Sequence, residues 1–260
     1  ERMRGWHGAY LVGADVLGEV PFEALPYGKS DLGRELGLAT LPSVPVALAL
    51  ARRPAATADR QMLLVTSPRI QADVLGARPN LARLPIDEAA GRKLLLPFRR
   101  ADLLRDEEAS WARIEAEVRR SPPAILHLLV HGVPDIGREL SGGLALAYSA
   151  SDEDGLLWCE DVTVSAPLVI LSACSSARGP KRIGDDGLAQ LGGAFLGHGA
   201  LCIAQAAHEI ALEPTLLLMV AFHARLAASD PPAEALRAAR VTLAREPQYS
   251  HPFYLHAMRV

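Results

Sequence analysis

From residue 60 onward the chain alternates between compact apolar runs and amphipathic stretches. The runs 62–66, 124–130 and 167–173 have the length of buried strands, and the stretches between them carry helical spacing. This alternation is typical of a mainly parallel sheet covered by helices. The pattern therefore predicts an α/β fold.

The same pattern predicts the remaining elements. We expect strands at 9–12, 100–104 and 200–204, a hairpin of 144–147 with 156–158, and helices near 47–52, 87–93 and 187–196 and from Pro214 onward. Residues 1–59, rich in Gly and Pro, are predicted to form an N-terminal strand and helix extension that packs on the core as part of one structural unit.

Two further helices have ends that the sequence marks. Acidic residues 106–108 are predicted to open one helix and basic residues 119–120 to close it, because these charges complement the helix dipole. Asp230 is the predicted N-cap of the last long helix, with Pro231 at its first position. The core-facing stripes of the two helices are Trp111, Ile114 and Val118, and Ala235, Leu236, Ala239 and Leu243.

Two of the apolar runs end at reactive side chains, His131 and Cys174. Ligands of an open parallel sheet bind beyond the carboxyl ends of its strands. A free thiol has a pKa of about 8.5, so an adjacent imidazole that takes its proton creates a nucleophile. The sequence predicts a Cys174–His131 dyad, with the backbone N–H groups of Gly132 and Cys174 donating to a developing oxyanion.

Each residue also has a structural interpretation. A free cysteine such as Cys174 is often a small buried hydrophobe, and His131 by itself fits a structural loop. His127 lies inside its apolar run, and we interpret it as a core histidine with its hydrogen bonds satisfied.

Composition narrows the classes of protein. The chain has 260 residues, half of them hydrophobic, and a net charge of -3 from interleaved acids and bases. It is therefore globular, and without a basic stripe a direct nucleic-acid partner is not expected. No apolar run is long enough for a membrane span. Three widely spaced cysteines argue against a disulfide framework and favour the cytoplasm.

The sequence does not match the zinc-protease motif or the phosphate-loop motif. His208 and Glu209 begin like a zinc-protease helix, but Leu212 stands where the second histidine is needed. No glycine-rich segment ends in the Lys-Ser or Lys-Thr of a phosphate loop. The other histidines lack metal-ligand spacing and are interpreted as structural or surface residues: His198, His223, His251 and His256.

Several short motifs together resemble one family. They are the His-Gly pair at 131–132, Leu-Ser-Ala-Cys at 171–174, Gly-Asp-Asp-Gly-Leu at 184–188 before a Gly/Ala-rich helix, Pro-Phe-Glu-Ala-Leu at 21–25, and His-Pro-Phe-Tyr at 251–254. As a set they resemble the CHAT domain, a bacterial relative of caspases and separases.

The resemblance implies a caspase-like three-layer sandwich over residues 60–260, with 1–59 packed on it as an extension. It implies hydrolysis of peptide bonds in a protein substrate by Cys174 and His131, without metal or cofactor. It also implies a regulated bacterial pathway such as defence, with an activating partner or an attached N-terminal repeat or sensor region. The sequence begins at Glu1, and we expect it to be a domain of a longer chain.

The chain departs from the family at two places. Ser176 replaces the usual threonine and keeps a hydroxyl, whereas the segment 206–213 lacks the usual Trp followed by acidic residues, which affects the substrate pocket and not the dyad. Asp185 and Asp186 are candidates to bind a basic side chain before the scissile bond, or else they cap the next helix. The basic loop 178–182 is a candidate processing site or a solvated surface loop.

Two alternative functions follow. The first is a catalytically inactive CHAT-like interaction module, because the pocket segment is altered. The second is a thiol hydrolase that acts on an amide or ester unrelated to proteins.

Overall fold

A computed structural model gives the fold, and it describes residues 6–12, 20–53, 61–72, 74, 81, 83–133, 143–150, 154–173, 191–208 and 211–260. The strands are Gly8–Val12 (β1), Pro26–Tyr27 (β2), Ser30–Asp31 (β3), Gly37–Leu41 (β4), Met62–Pro68 (β5), Ala101–Asp106 (β6), Ile125–Leu129 (β7), His131–Val133 (β8), Gly143–Ala145 (β9), Leu156–Leu157 (β10), Leu168–Leu171 (β11), Cys202–Ala206 (β12) and Met258–Arg259 (β13). The α-helices are Leu32–Glu35 (α1), Val44–Ala51 (α2), Glu88–Leu95 (α3), Trp111–Arg120 (α4), Leu191–Gly197 (α5), Leu212–Ala227 (α6), Pro232–Leu243 (α7) and Pro252–Leu255 (α8).

The chain divides into two compact units, and each is described by itself. Unit 1 contains the described residues up to Arg53 and from 211 to Val260. Unit 2 contains the described residues from 61 to 208. The boundary at residues 59 and 60, which we derived from composition, stays a prediction.

A parallel sheet forms the centre of unit 2, with the strand order β12-β11-β7-β5-β6. Strand β7 lies between β5 and β11, so that Leu64, His127 and Ile170 are register partners across three strands. The three strands are buried along their whole lengths. Near-continuous apolar sequence is what a parallel sheet covered on both faces requires.

Helices of unit 2 cover both faces of this sheet. On one face, α4 and α5 pack against alternate residues of β5, β7 and β11 in a single apolar core. On the other face, α3 approaches so closely that a Cβ at Gly91 would lie 3.3 Å from the Leu103 side chain. The predicted α/β fold with a central, mainly parallel sheet flanked by helices is confirmed.

Helix α4 begins later than its acidic residues suggest. Ser110 is its N-cap, and the Arg113 N–H donates to Ser110 Oγ at 3.3 Å. Asp106 instead ends β6 with a φ of 55° and pairs with Arg83. The prediction that residues 106–108 open this helix is wrong, because a serine hydroxyl satisfies the first-turn N–H groups as the acids would have done. The predicted stripe of Trp111, Ile114 and Val118 is buried.

Unit 1 contains the short parallel pair β1–β4 and the helices α6 and α7. Strand β4 also meets the C-terminus, where the Thr40 N–H donates to the Val260 carbonyl at 2.7 Å. The predicted stripe of α7 is buried. The predicted N-cap is wrong: Pro231 takes that position, and Asp230 lies 2.5 Å from Arg225 at the end of α6. An ion pair with the preceding helix therefore competes successfully for the Asp230 carboxylate.

Among the helices that the structure describes, none combines the length and the apolar character needed to cross a membrane.

Candidate active site

The candidate site lies at the carboxyl ends of β7 and β11, which are adjacent parallel strands. Leu128 of β7 is the register partner of Leu171 of β11. The ladder continues one step farther, because the Ser172 N–H donates to the Leu128 carbonyl at 3.0 Å. Adjacent strands lie about 4.8 Å apart, so side chains at the ends of these two strands can contact each other.

His131 lies beyond the end of β7 and begins a new strand. Strand β7 ends at Leu129, Val130 is buried, and His131 starts β8 with a half-buried side chain. The strand therefore ends one residue before its apolar run does. The chain changes partners here, since His131 and Gly132 pair antiparallel with Ala145 and Leu144 of β9. This pairing fixes the backbone that carries the histidine.

An apolar cluster holds β8 and β9 in place. Val133 and Ala145 are buried together with Ile70 and Leu81. At Gly143 a Cβ would lie 2.7 Å from both the Leu157 carbonyl oxygen and a ring carbon of Trp158. Only glycine permits this close approach, so Gly143 is needed for β9 to support the strand of His131.

The remaining predicted site residues lie outside the described residues. These are Cys174, Asp185 and Asp186, together with the loop 178–182. The described chain reaches Ala173, which is buried in the core of unit 2.

A hydrogen-bonded polar pair lies directly beneath the strand ends. His127 Nε2 and Ser172 Oγ are 2.9 Å apart, and the exposed fractions of the two residues are 0% and 2%. The prediction that His127 lies in the core is confirmed, and its Nε2 has a hydrogen-bond partner. Sequence reasoning missed its partner, although a serine in the buried run that leads to Cys174 was a usable signal.

The carboxyl ends of β5 and β6, next in the sheet, are polar and conformationally constrained. Ser67 has a φ of 47°, and its hydroxyl lies 3.1 Å from the Ile86 carbonyl oxygen, to which it donates. Arg69 pairs with Glu107 at 2.6 Å. Positive φ at a non-glycine residue costs about 1 to 3 kcal/mol, and such strain is concentrated at functional sites. This edge of the sheet in unit 2 thus carries a charged ion pair and a serine with a positive φ.

Comparison with known proteins identifies the family. The family model described as the CHAT domain matches residues 9–256. The chain belongs to the CHAT domain family.

A solved structure supports the same fold for this CHAT domain. The Arg-specific cysteine proteinase gingipain R is similar to it with a TM-score of 0.55 and 10% sequence identity, over 90% of this chain and 55% of that chain. The chain therefore spans about half the length of that proteinase. This likeness shows a caspase-like proteinase fold. A comparison with curated proteins finds no match.

The two cysteines that the structure describes in this CHAT domain are poor nucleophiles. Burial raises the pKa of Cys202 to about 12. Burial, reinforced by the nearby Glu160 carboxylate, raises the pKa of Cys159 to about 11. Both thiols stay protonated at neutral pH, so neither supplies the thiolate that a cysteine hydrolase needs.

The described part of this CHAT domain brings together no group of three or more His, Cys, Asp or Glu side chains suited to a metal ion.

Proposed function

We propose that this CHAT domain is a cysteine endopeptidase in which Cys174 is the nucleophile and His131 is the general base. The observation that carries the proposal is the register of β7 and β11, where Leu128 pairs with Leu171. Counted along the sequence, His131 comes three residues after Leu128, and Cys174 comes three residues after Leu171. Equal spacing from a shared register favours a meeting of thiol and imidazole at one edge of the sheet.

The reaction divides into two steps with one proton carrier. His131 takes the thiol proton, the Cys174 sulfur attacks the scissile carbonyl carbon, and the carbonyl oxygen becomes an oxyanion. When the C–N bond breaks, His131 gives its proton to the leaving amine, and a thioester remains on Cys174. His131 then takes a proton from water, whose hydroxide hydrolyses the thioester and restores the thiol.

The oxyanion needs preorganised donors, and we assign this role to the backbone N–H groups of Gly132 and Cys174. Gly132 lies in β8, whose pairing with Leu144 of β9 restricts its movement. A donor that does not reorganise during the reaction stabilises the transition state by about 3 to 4 kcal/mol. The lack of a side chain at Gly132 also leaves room for a peptide to approach its backbone.

For substrate selection we assign Asp185 and Asp186 to a basic side chain before the scissile bond. A carboxylate pair that meets Arg or Lys in a pocket forms charge-assisted hydrogen bonds. We place the enzyme in the bacterial cytoplasm, in a regulated pathway such as defence, with a protein substrate and an activating partner or attached sensor region. The basic loop 178–182 is a candidate for processing.

The test compares wild type with Cys174→Ala and His131→Ala in the full chain. The substrate is a library of blocked fluorogenic peptides varied before the cleavable bond, and a chloromethyl ketone peptide with arginine at its end serves as the labelling probe. We expect both variants to lose cleavage, and the probe to label Cys174. Cys202→Ala is the matched control. This variant should cleave like wild type, because the thiol that it removes is protonated in the wild-type protein and is not a nucleophile.

Each alternative has a distinct outcome. Equal cleavage by wild type and Cys174→Ala contradicts the proposal. An absence of both cleavage and labelling in wild type favours the inactive interaction module. Labelling of Cys174 with hydrolysis of small amides or esters, but of no peptide in the library, favours another thiol hydrolase.

A further inference from the structure

We infer that His127 and Ser172 are positioning residues, whose hydrogen bond fixes the end of β11 relative to β7 and thereby sets the reactivity of Cys174. This inference rests on the proposed function, since it concerns the same thiol. The bond joins His127 Nε2 and Ser172 Oγ at 2.9 Å, across two strands that meet at the candidate site. Ser172 lies two residues before Cys174 in the sequence.

The location of the pair in the ladder gives it this role. The register partner of His127 is Ile170, so the histidine reaches forward by two residues to contact Ser172 on the same face of the sheet. Ser172 is therefore held twice, by its side chain and by its backbone N–H, which donates to Leu128. This doubly held residue comes two positions before the proposed nucleophile.

A purely structural role is better filled by apolar side chains. The two register partners of His127, Leu64 and Ile170, are apolar. A buried polar pair costs desolvation, and its net contribution to stability is only about 1 kcal/mol. Its place two residues before the proposed nucleophile favours a positioning role, because a hydrogen bond adds a directional contact to the apolar packing.

Precise placement matters for this chemistry. Misplacement of a reacting group by about 1 Å can cost about 100-fold in rate. Neutral imidazole either accepts from the Ser172 hydroxyl or donates to it through Nε2, so the bond persists in either tautomer. The pair thus holds the strand end without needing a charge.

The test uses four variants of the full chain: His127→Leu, Ser172→Ala, the double variant, and His127→Gln. Glutamine places an amide nitrogen near the position of Nε2 and can restore the bond, whereas His127→Asn, which mimics Nδ1 instead, is the matched control. The readouts are kcat and KM for the best peptide of the library, the rate at which the chloromethyl ketone peptide labels Cys174, and the midpoint of urea unfolding.

We expect His127→Leu and Ser172→Ala to lower kcat and the labelling rate by about 10- to 100-fold with little change in KM, because the peptide-binding groups are untouched. The double variant should be no slower than either single variant, and it should regain urea stability without regaining activity. His127→Gln should recover most of the rate, and His127→Asn should not.

The outcomes separate this inference from the function on which it rests. If wild-type Cys174 is labelled no faster than Cys159 and Cys202, the proposed function fails, and the positioning role fails with it. If wild type is active and the double variant keeps its kcat and labelling rate, the proposed function stands and the inference is overturned. The inference is also overturned if activity follows urea stability through all variants, since the pair is then purely structural.

Discussion

Each compact unit buries polar side chains, but the two units do so in different ways. Unit 2 buries the neutral pair of His127 and Ser172, joined by one hydrogen bond between adjacent strands. Unit 1 contains a charge cluster that joins residues from the two ends of the sequence: Glu23, Asp31, Arg240, His256 and Arg259. One feature is local to a sheet, and the other connects segments more than 200 residues apart.

Arg240 is the centre of the charge cluster and is only 1% exposed. Its Nη2 donates to the Met258 carbonyl at 2.7 Å, and its Nη1 donates to the Gly33 carbonyl at 3.3 Å. Burial lowers the pKa of Arg240 to about 10, while Glu23 and Asp31 oppose the shift, so the group stays charged at neutral pH. A buried charge depends on its partners, whereas a neutral pair can be replaced as a unit.

The largest effect should come from the charge cluster. We expect Arg240→Met to lower the free energy of unfolding by about 3 to 5 kcal/mol, because the buried Gly33 and Met258 carbonyls lose their donor, and Glu23 and Asp31 lose a nearby cation. Urea denaturation at pH 7 measures this effect. Arg92→Met is the control: Arg92 is 70% exposed and pairs with Glu88 at 2.7 Å, so its loss should cost about 0.5 kcal/mol or less. Equal costs for the two variants would show that burial does not make the Arg240 charge important for stability.

The next effect is a dependence of unit 1 on pH. Burial, together with the nearby Arg240 charge, lowers the pKa of His256 from 6.5 to about 4, although Asp31, 3.3 Å from its Nε2, opposes the shift. Arg34 also faces the ring and acts in the same direction as Arg240. Between pH 6.5 and 4 the unfolded chain therefore binds more protons than the folded chain. The stabilisation is complete above pH 6.5 and is lost as the pH falls toward 4, by at most about 3 kcal/mol.

Urea unfolding at pH 7 and pH 4.5 tests this prediction. In wild type the free energy of unfolding should fall over this interval, and His256→Gln should remove most of the contribution assigned to this histidine. An unchanged slope in His256→Gln would assign the pH dependence to other groups.

A smaller effect is expected for the neutral pair. His127→Leu and Ser172→Ala should each cost about 1 to 3 kcal/mol, because each leaves one buried polar group without its partner. Combined, they should cost less than the sum of the two. The stability that the double variant regains relative to this sum distinguishes the neutral pair from the charge cluster. A double-mutant cycle in urea measures it. Strict additivity would show that the hydrogen bond does not couple the two side chains.

The smallest expected effect on stability comes from the N-cap of α4. Ser110→Ala removes the hydroxyl that caps α4 and should cost about 1 kcal/mol. Glu108→Gln tests the acidic residues that we expected to open this helix, and it should change stability by about 0.5 kcal/mol or less. A larger loss of stability from Glu108→Gln than from Ser110→Ala would support the sequence-based prediction that the acidic residues open the helix.

Much of the fold could be predicted from the sequence. The apolar runs that became β5, β7 and β11 are continuous, because both faces of this sheet are covered. The helical stripes of α4 and α7 were equally clear. Element ends were less reliable: Asp230 has the residue type of an N-cap, but a pair with Arg225 takes its carboxylate. Local propensity does not reveal which competing partner a polar side chain finds.

The sequence by itself determined the fold class and the family, and it predicts a reactive pair, His131 and Cys174, after two apolar runs. These features depend on local periodicity and on residue order. Only the tertiary structure decided that β7 and β11 are neighbours, that Leu128 and Leu171 share a register, and that Ser172 bonds to His127. It also decided that Arg240 meets the Gly33 and Met258 carbonyls. Register and burial cannot be read from local sequence, because the partners of a side chain come from segments that are distant along the chain and meet only on folding.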